Sequence, residues 1–210
     1  MEKMVIEMTI ETFLEKKKFF EFYILNINKD NAYYNDIIQI FKEAVVNAYF
    51  IEEDNHVIIL STVINNDINQ LVNALIEDFG IKLKVFKSNK IYVNHFDFMK
   101  ILKDMFLKYE DMFIENYISL KSLLLMILEK NIDDLAIIKP IIMNNILNDS
   151  KLLEIINAMF VNDLNVCKTA NYVYMHRNTI NNKITIIKEE TGLDIQKFQD
   201  AVILYALVKK

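Results

Sequence analysis

The sequence predicts an α+β protein with strands and helices in the first 95 residues and helices in the rest. Aromatic and β-branched runs that favour strands occur in the N-terminal part, and apolar residues recur at helical spacing throughout. Near the C-terminus, two short helical patterns flank a tight turn. The 210 residues include two glycines and one proline, so we expect long regular elements joined by short connections.

The N-terminal elements are predicted in the order β-α-β-β-α-β, which is the order of a ferredoxin-like arrangement. A polar turn at residues 52–55 joins the two central strands, and Gly80 ends the second helix. The predicted strands cover residues 20–27, 49–51, 56–61 and 81–86, and the helices cover residues 32–46 and 67–79.

The strand signal stops near Phe96, and helices are predicted over residues 96–109, 117–130 and 137–147. Residues 123–128 are all apolar, which is more than one amphipathic stripe needs. This helix is therefore either buried on several sides or part of a subunit interface. The predicted regions are 1–95, an α+β domain; 96–147, a helical linker or dimerisation region; and 148–210, a helix-turn-helix domain.

Residues 165–184 carry the most specific pattern in the chain. Asn165 is predicted to cap a first helix over residues 166–174, in which the small Ala170 lets a second helix cross closely. The turn is placed near residues 175–177. Two short helices joined in this way are the layout of a DNA-reading helix-turn-helix.

The second helix has an apolar face and a polar face. Ile180, Ile184 and Ile187 are spaced four and three residues apart and form the predicted buried stripe. Asn178 or Thr179 is expected to cap this helix.

The polar side chains of the motif are expected to touch DNA, since Asn bonds to adenine edges and Lys or Arg reaches guanine or phosphate. The alternatives are a capping role for Asn178 and a salt bridge within the domain for Arg177. Tyr172 and Tyr174 are expected to pack rather than to stack on bases. The predicted DNA contacts are Lys168, Thr169, His176, Arg177, Asn178, Thr179, Asn181, Asn182, Lys183 and Lys188.

Five short motifs follow one another with a characteristic spacing: Leu152-Leu153, Asn165-Val166, Thr169-Ala170, His176-Arg177-Asn178-Thr179-Ile180 and Thr191-Gly192-Leu193-Asp194. In order and spacing they resemble the C-terminal helix-turn-helix of PucR/CdaR-type bacterial transcription regulators, over roughly residues 138–207. The order of the N-terminal elements resembles the degenerate GGDEF-like domain that precedes it in that family. The resemblance implies a sequence-specific DNA-binding regulator that acts as a dimer.

Charge is unevenly distributed along the chain, whose formal net charge is −5. The last 60 residues hold eight basic and six acidic residues, whereas the first 150 hold sixteen basic and twenty-three acidic ones. The more basic part contains the helix-turn-helix, as DNA binding requires. Because the excess is small, we expect a monomer to bind with modest affinity and a dimer to double the phosphate contacts.

The residues offer no catalytic or metal-binding set, so we expect no enzymatic activity, cofactor or metal. His56, His95 and His176 lack metal-ligand spacing, and no paired glycine precedes residues 52–54, where an active cyclase would hold its signature hairpin. No run of 18 apolar residues predicts a membrane helix. The single cysteine, Cys167, is expected to be a small buried helix residue, and we expect a cytoplasmic protein.

Two functions remain open. The first is a sequence-specific regulator that binds double-stranded DNA as a homodimer, its effector unspecified. The second is a regulatory or protein-interaction module whose helix-turn-helix no longer binds DNA. The acidic balance favours the second, as do Asn181 and Asn182, which stand where the family usually has a large basic or aromatic residue.

Overall fold

The computed structural model describes residues 9–53, 55–63 and 67–210. The chain forms two compact units, of which the first ends at Leu120 and the second covers Lys121–Lys210. The first contains a mixed sheet with helices, and the second is helical, so the α+β class with a helical C-terminal region is confirmed. The division of the chain into three functional regions stays a prediction. Across the described ranges, no helix has both the length and the apolar character needed to cross a membrane.

Six strands of the described part form the sheet of the first unit. They lie in the order β2-β3-β1-β4-β6, and β5 pairs with the beginning of β1. The β4–β6 pair is parallel and the other pairs are antiparallel. The strands are β1 (Phe19–Asn26), β2 (Ala48–Glu52), β3 (His56–Ser61), β4 (Lys84–Lys87), β5 (Ile91–Tyr92) and β6 (Tyr117–Ser119).

Helices predicted in the first 110 residues are confirmed to within about two residues. Gly80 ends the second of the predicted helices in a left-handed conformation, with φ of 60°. Asp54, in the predicted turn between the central strands, lies outside the described residues. The helices are α1 (Ile10–Leu14), α2 (Tyr34–Ala44), α3 (Ile68–Phe79), α4 (Phe98–Tyr109), α5 (Leu120–Lys130), α6 (Leu135–Ile142), α7 (Asn144–Leu147), α8 (Ser150–Val161), α9 (Val166–Tyr172), α10 (Arg177–Thr191) and α11 (Phe198–Lys209).

Strand β1 is buried on both of its faces. Tyr23 and Leu25 belong to a core cluster with apolar residues of α2 and α3. On the other face, the ring of Phe22 lies 5.8 Å from that of Phe86, which stacks at 5.2 Å on Phe106 of α4. Helices therefore cover both sides of the sheet, and this explains why β1 reads as a nearly continuous apolar run.

Two strands, β5 and β6, lie outside the predicted set. Because β6 follows Phe96, the expectation that strands stop near Phe96 is wrong in part. β6 occupies the start of the helix predicted over residues 117–130, which begins instead at Leu120. In β6, Ile118 pairs with Phe86 of β4, a partner distant in sequence that local periodicity cannot reveal. The strand predicted over residues 81–86 covers Lys84–Lys87.

A half-buried polar cluster surrounds Glu110 at the C-terminal end of α4. One carboxylate oxygen accepts a hydrogen bond from Asn26 Nδ2 at 2.6 Å, and the other lies 4.0 Å from His56 Nε2. The Glu110 carbonyl oxygen accepts from Lys84 Nζ at 2.5 Å. Burial raises the pKa of the Glu110 carboxyl, although the Asn26 hydrogen bond and the nearby His56 act in the opposite direction.

This raised pKa predicts a pH dependence of folding that Glu110→Gln should reduce. As the pH rises above the ordinary pKa of 4.5, the carboxyl ionises first in the unfolded chain. The free energy of unfolding therefore falls as the pH rises, and it levels off once the pH exceeds the folded pKa. Glutamine keeps an oxygen that can accept from Asn26 but does not ionise. Urea unfolding between about pH 4 and about pH 7 should show a shallower decline in the variant than in the wild type. The exposed Glu115→Gln is the control, and an equally steep decline in Glu110→Gln would contradict the assignment.

Candidate nucleic-acid interface

Helix α9 is the first helix of the helix-turn-helix. As predicted, Asn165 caps it, since its side chain accepts a hydrogen bond from the backbone N–H of Lys168 at 3.0 Å. The helix ends at Tyr172, and its buried residues are Thr169 and Ala170. These small side chains lie in a helix that packs against both α8 and α10, so they permit a close crossing.

The turn after α9 is closed by two backbone hydrogen bonds in the Schellman pattern. The N–H of Met175 donates to the carbonyl of Ala170 at 2.9 Å, and that of Tyr174 donates to the carbonyl of Asn171 at 3.3 Å. Tyr174 has φ of 53°, in the left-handed region that glycine usually occupies at this position. For a residue with a Cβ atom this conformation costs about 1–2 kcal/mol.

His176 is the N-cap of α10, and the prediction of Asn178 or Thr179 as the cap is wrong. The His176 Nδ1 atom accepts a hydrogen bond from the backbone N–H of Asn178 at 3.2 Å. Asn178 and Thr179 lie inside the first helical turn, because the helix begins at Arg177. A ring that accepts at Nδ1 carries its hydrogen at Nε2, so the second nitrogen is a donor at the exposed start of α10.

The predicted apolar stripe of α10 is confirmed. Ile180 and Ile187 are completely buried, and Ile184 is 5% exposed. Gly192 ends the helix with φ of 73°, and its N–H donates to the carbonyl of Lys188 at 2.8 Å. The side of α10 that packs against the domain is therefore fixed.

The opposite side of α10 carries polar side chains in its first two turns. From Arg177 to Asn182 the helix rises about 8 Å, a length that fits within a major groove about 12 Å wide. Amide and guanidinium groups on this surface can bond to base edges. Its exposed predicted contacts are Arg177, Asn178, Thr179, Asn181 and Asn182.

Each of the three predicted lysine contacts has an acidic neighbour. Each pair has at least one exposed partner, and ion pairs at a protein surface contribute at most about 1 kcal/mol, so a phosphate can replace the carboxylate at small cost. For Arg177 the structure shows no ion pair within the described part of the chain, so its guanidinium does not first have to leave a carboxylate. The pairs are Lys168–Asp163 at 3.6 Å, Lys183–Asp149 at 4.0 Å and Lys188–Asp194 at 3.1 Å.

Three expectations for side-chain exposure in this motif are wrong. Thr169 is completely buried, so its side chain cannot reach a duplex in this conformation. Cys167 is exposed rather than buried. Tyr172 and Tyr174 were expected to pack, but they are 58% and 97% exposed. The buried face of α9 is narrow, since Thr169 and Ala170 occupy it.

The three histidines have separate local roles. His56 lies beside Glu110, His95 stacks on Phe98 with ring centroids 4.8 Å apart, and His176 caps α10. Within the described ranges, no group of three His, Cys, Asp or Glu side chains is placed to hold a metal ion.

The cap of α9 yields a stability prediction. Asn165→Ala should lower the free energy of unfolding by about 1 kcal/mol, because the N–H of Lys168 loses its acceptor. Urea unfolding of the full chain measures this change. Asn182→Ala, at an exposed position within α10, is the matched control and should leave stability unchanged or slightly raise it. Equal effects of the two substitutions would show that the cap contributes nothing.

Comparison with known proteins identifies the C-terminal region. Residues 152–209 match the PucR C-terminal helix-turn-helix domain. No curated protein matches the chain. One similar solved structure is that of a regulator of polyketide synthase expression from Bifidobacterium adolescentis, with a TM-score of 0.45 and 12% identity over 93% of this chain and 82% of that one. The chain thus contains a PucR-type helix-turn-helix domain at its C-terminal end.

Proposed function

We propose that this protein is a sequence-specific DNA-binding transcription regulator. The observation that carries the proposal is the exposed polar side of α10 opposite a buried isoleucine stripe. The match of residues 152–209 to the PucR helix-turn-helix domain supports it. In this function, the first two turns of α10 enter the major groove.

The exposed side chains divide into base contacts and phosphate contacts. Arg177 bonds to a guanine edge, because its guanidinium can donate two hydrogen bonds to the guanine acceptors O6 and N7. Asn181 and Asn182 bond to adenine edges, because their amides pair a donor with an acceptor. Lys168 and Lys183 contact phosphates after leaving their carboxylate partners. This division assigns sequence recognition to the start of α10 and affinity to the flanking cations.

The proposed active form is a homodimer on a pseudo-palindromic site. The helix-turn-helix region has few cations, and a second copy doubles the phosphate contacts. Two recognition helices in a dimer read half-sites about 34 Å apart. The half-buried Leu125, Met126 and Leu128 of α5 support a subunit interface, because they extend the apolar surface beyond the buried Leu124 and Ile127.

The N-terminal domain is proposed to be a non-catalytic scaffold with a ferredoxin-like, degenerate GGDEF-like fold. The strand order β2-β3-β1-β4 with antiparallel neighbours supports this assignment. At the start of the β2–β3 connection, Glu53 accepts from Lys103 Nζ at 2.9 Å with both carboxylate oxygens. That carboxylate is therefore engaged in an ion pair within the domain.

Selection of bound duplexes from random DNA, followed by titration of the recovered sequence, tests the proposal. Arg177→Ala should weaken binding by about 1–3 kcal/mol and relax the preference at one base pair, because a bidentate base contact is lost. Lys183→Ala should weaken binding to all sequences. It should also reduce the slope of log K against log salt concentration by about one, because one phosphate fewer is neutralised. Lys130→Ala, an exposed lysine outside the matched domain, is the control for loss of a positive charge.

The alternative function, a module that does not bind DNA, gives a different result. Such a protein would pass unretained through a duplex-DNA column at low salt, and the selection would enrich no sequence. Wild-type binding that is unchanged by both Arg177→Ala and Lys183→Ala would instead place the DNA surface elsewhere.

A further inference from the structure

We propose that Tyr174 is an additional DNA contact, whose phenol hydroxyl donates a hydrogen bond to a backbone phosphate beside the groove entered by α10. This inference rests on the proposed function. It would add to the interface a neutral side chain in the turn, distinct from the residues of α10 and from the lysines.

The first support is that Tyr174 has a backbone conformation unfavourable for a residue with a Cβ atom, while its side chain gains no burial in the fold. The left-handed conformation, with φ of 53°, favours glycine, and Tyr174 closes the α9 turn in this conformation. The side chain is 97% exposed, so burial does not offset the strain. The other left-handed residues with a Cβ atom are either polar and exposed, as are Lys16, Asn47 and Asp163, or apolar and half-buried, as is Leu164. The tyrosine therefore does not improve the fold, and strained positions of this kind are common at functional sites.

The second support is the position of Tyr174 in the motif. It precedes Arg177 by three residues, so their Cα atoms lie within about 11 Å of each other. Tyr172, two residues before it, is also exposed. Side chains that flank a recognition helix contact the sugar-phosphate backbone, and a tyrosine hydroxyl is a suitable donor to a phosphate oxygen.

The test compares stability and DNA affinity in Tyr174→Gly and Tyr174→Phe, using the full chain and a duplex recovered by the selection. Tyr174→Gly should raise the urea midpoint of unfolding, because the left-handed strain is removed, and should weaken DNA binding about 3- to 10-fold. Tyr174→Phe should weaken binding to a similar extent without raising the midpoint, since it removes the hydroxyl alone. If the Tyr174 side chain had a purely structural role, its replacement would not raise stability and lower DNA affinity at the same time.

The salt dependence separates a direct contact from an indirect one. A neutral hydroxyl releases no counterion, so log Kd of Tyr174→Gly should run parallel to that of the wild type as salt is varied. A smaller slope of log Kd against log salt concentration in Tyr174→Gly would mean that the substitution displaced a cationic contact. That result would overturn the proposed hydroxyl contact. Asn47→Gly, another exposed left-handed position, is the matched control and should leave affinity unchanged.

The outcomes distinguish this inference from the proposed function. If the wild type binds the duplex and Tyr174→Gly binds equally well, the role of Tyr174 is refuted while the proposed function stands. If the wild type binds no duplex at low salt, both are refuted.

Discussion

The burial of three isoleucines on one side of α10 fixes which side chains the helix presents to solvent. Burying each of Ile180, Ile184 and Ile187 contributes about 1.5–3 kcal/mol. A rotation of α10 about its axis would expose this stripe and would also bury Arg177 and the asparagines without partners, which costs further free energy. The orientation of the polar surface therefore follows from packing, before any contact with a partner is made.

Most of the fold that could be predicted from the sequence depends on local patterns. Helices α2 and α3 repeat apolar residues at helical spacing, and the hairpin of β2 and β3 has strand-forming runs around a polar connection. β6 could not be predicted in this way, because its three residues form a strand by pairing in parallel with β4, which lies some 30 residues earlier in the chain. A local pattern of Tyr117 and Ile118 fits the start of a helix equally well.

The DNA contacts stay a prediction, but the local structure around them was predicted well where residue spacing decides burial and poorly where the geometry of the turn and the helix crossing decides it. The stripe of α10 follows from residue spacing, and Asn165 follows from its capping preference. Thr169 was misplaced because a polar side chain beside Ala170 reads as exposed, although the helix crossing buries both. His176 was missed as a cap because histidine ranks below asparagine for that role, and its ring nitrogen accepts the bond only after the turn has placed it.

The turn at Tyr174 shows how composition limits such predictions. Both glycines of the chain, Gly80 and Gly192, already end helices in the left-handed conformation. The other left-handed positions within the described residues hold side chains with a Cβ atom, so the rule that looks for glycine cannot find them. Around α9 these are Asp163 and Leu164 before the helix and Tyr174 after it. Left-handed residues at both ends fix the direction of the chain into and out of α9, and α10 takes its position from the second of these turns.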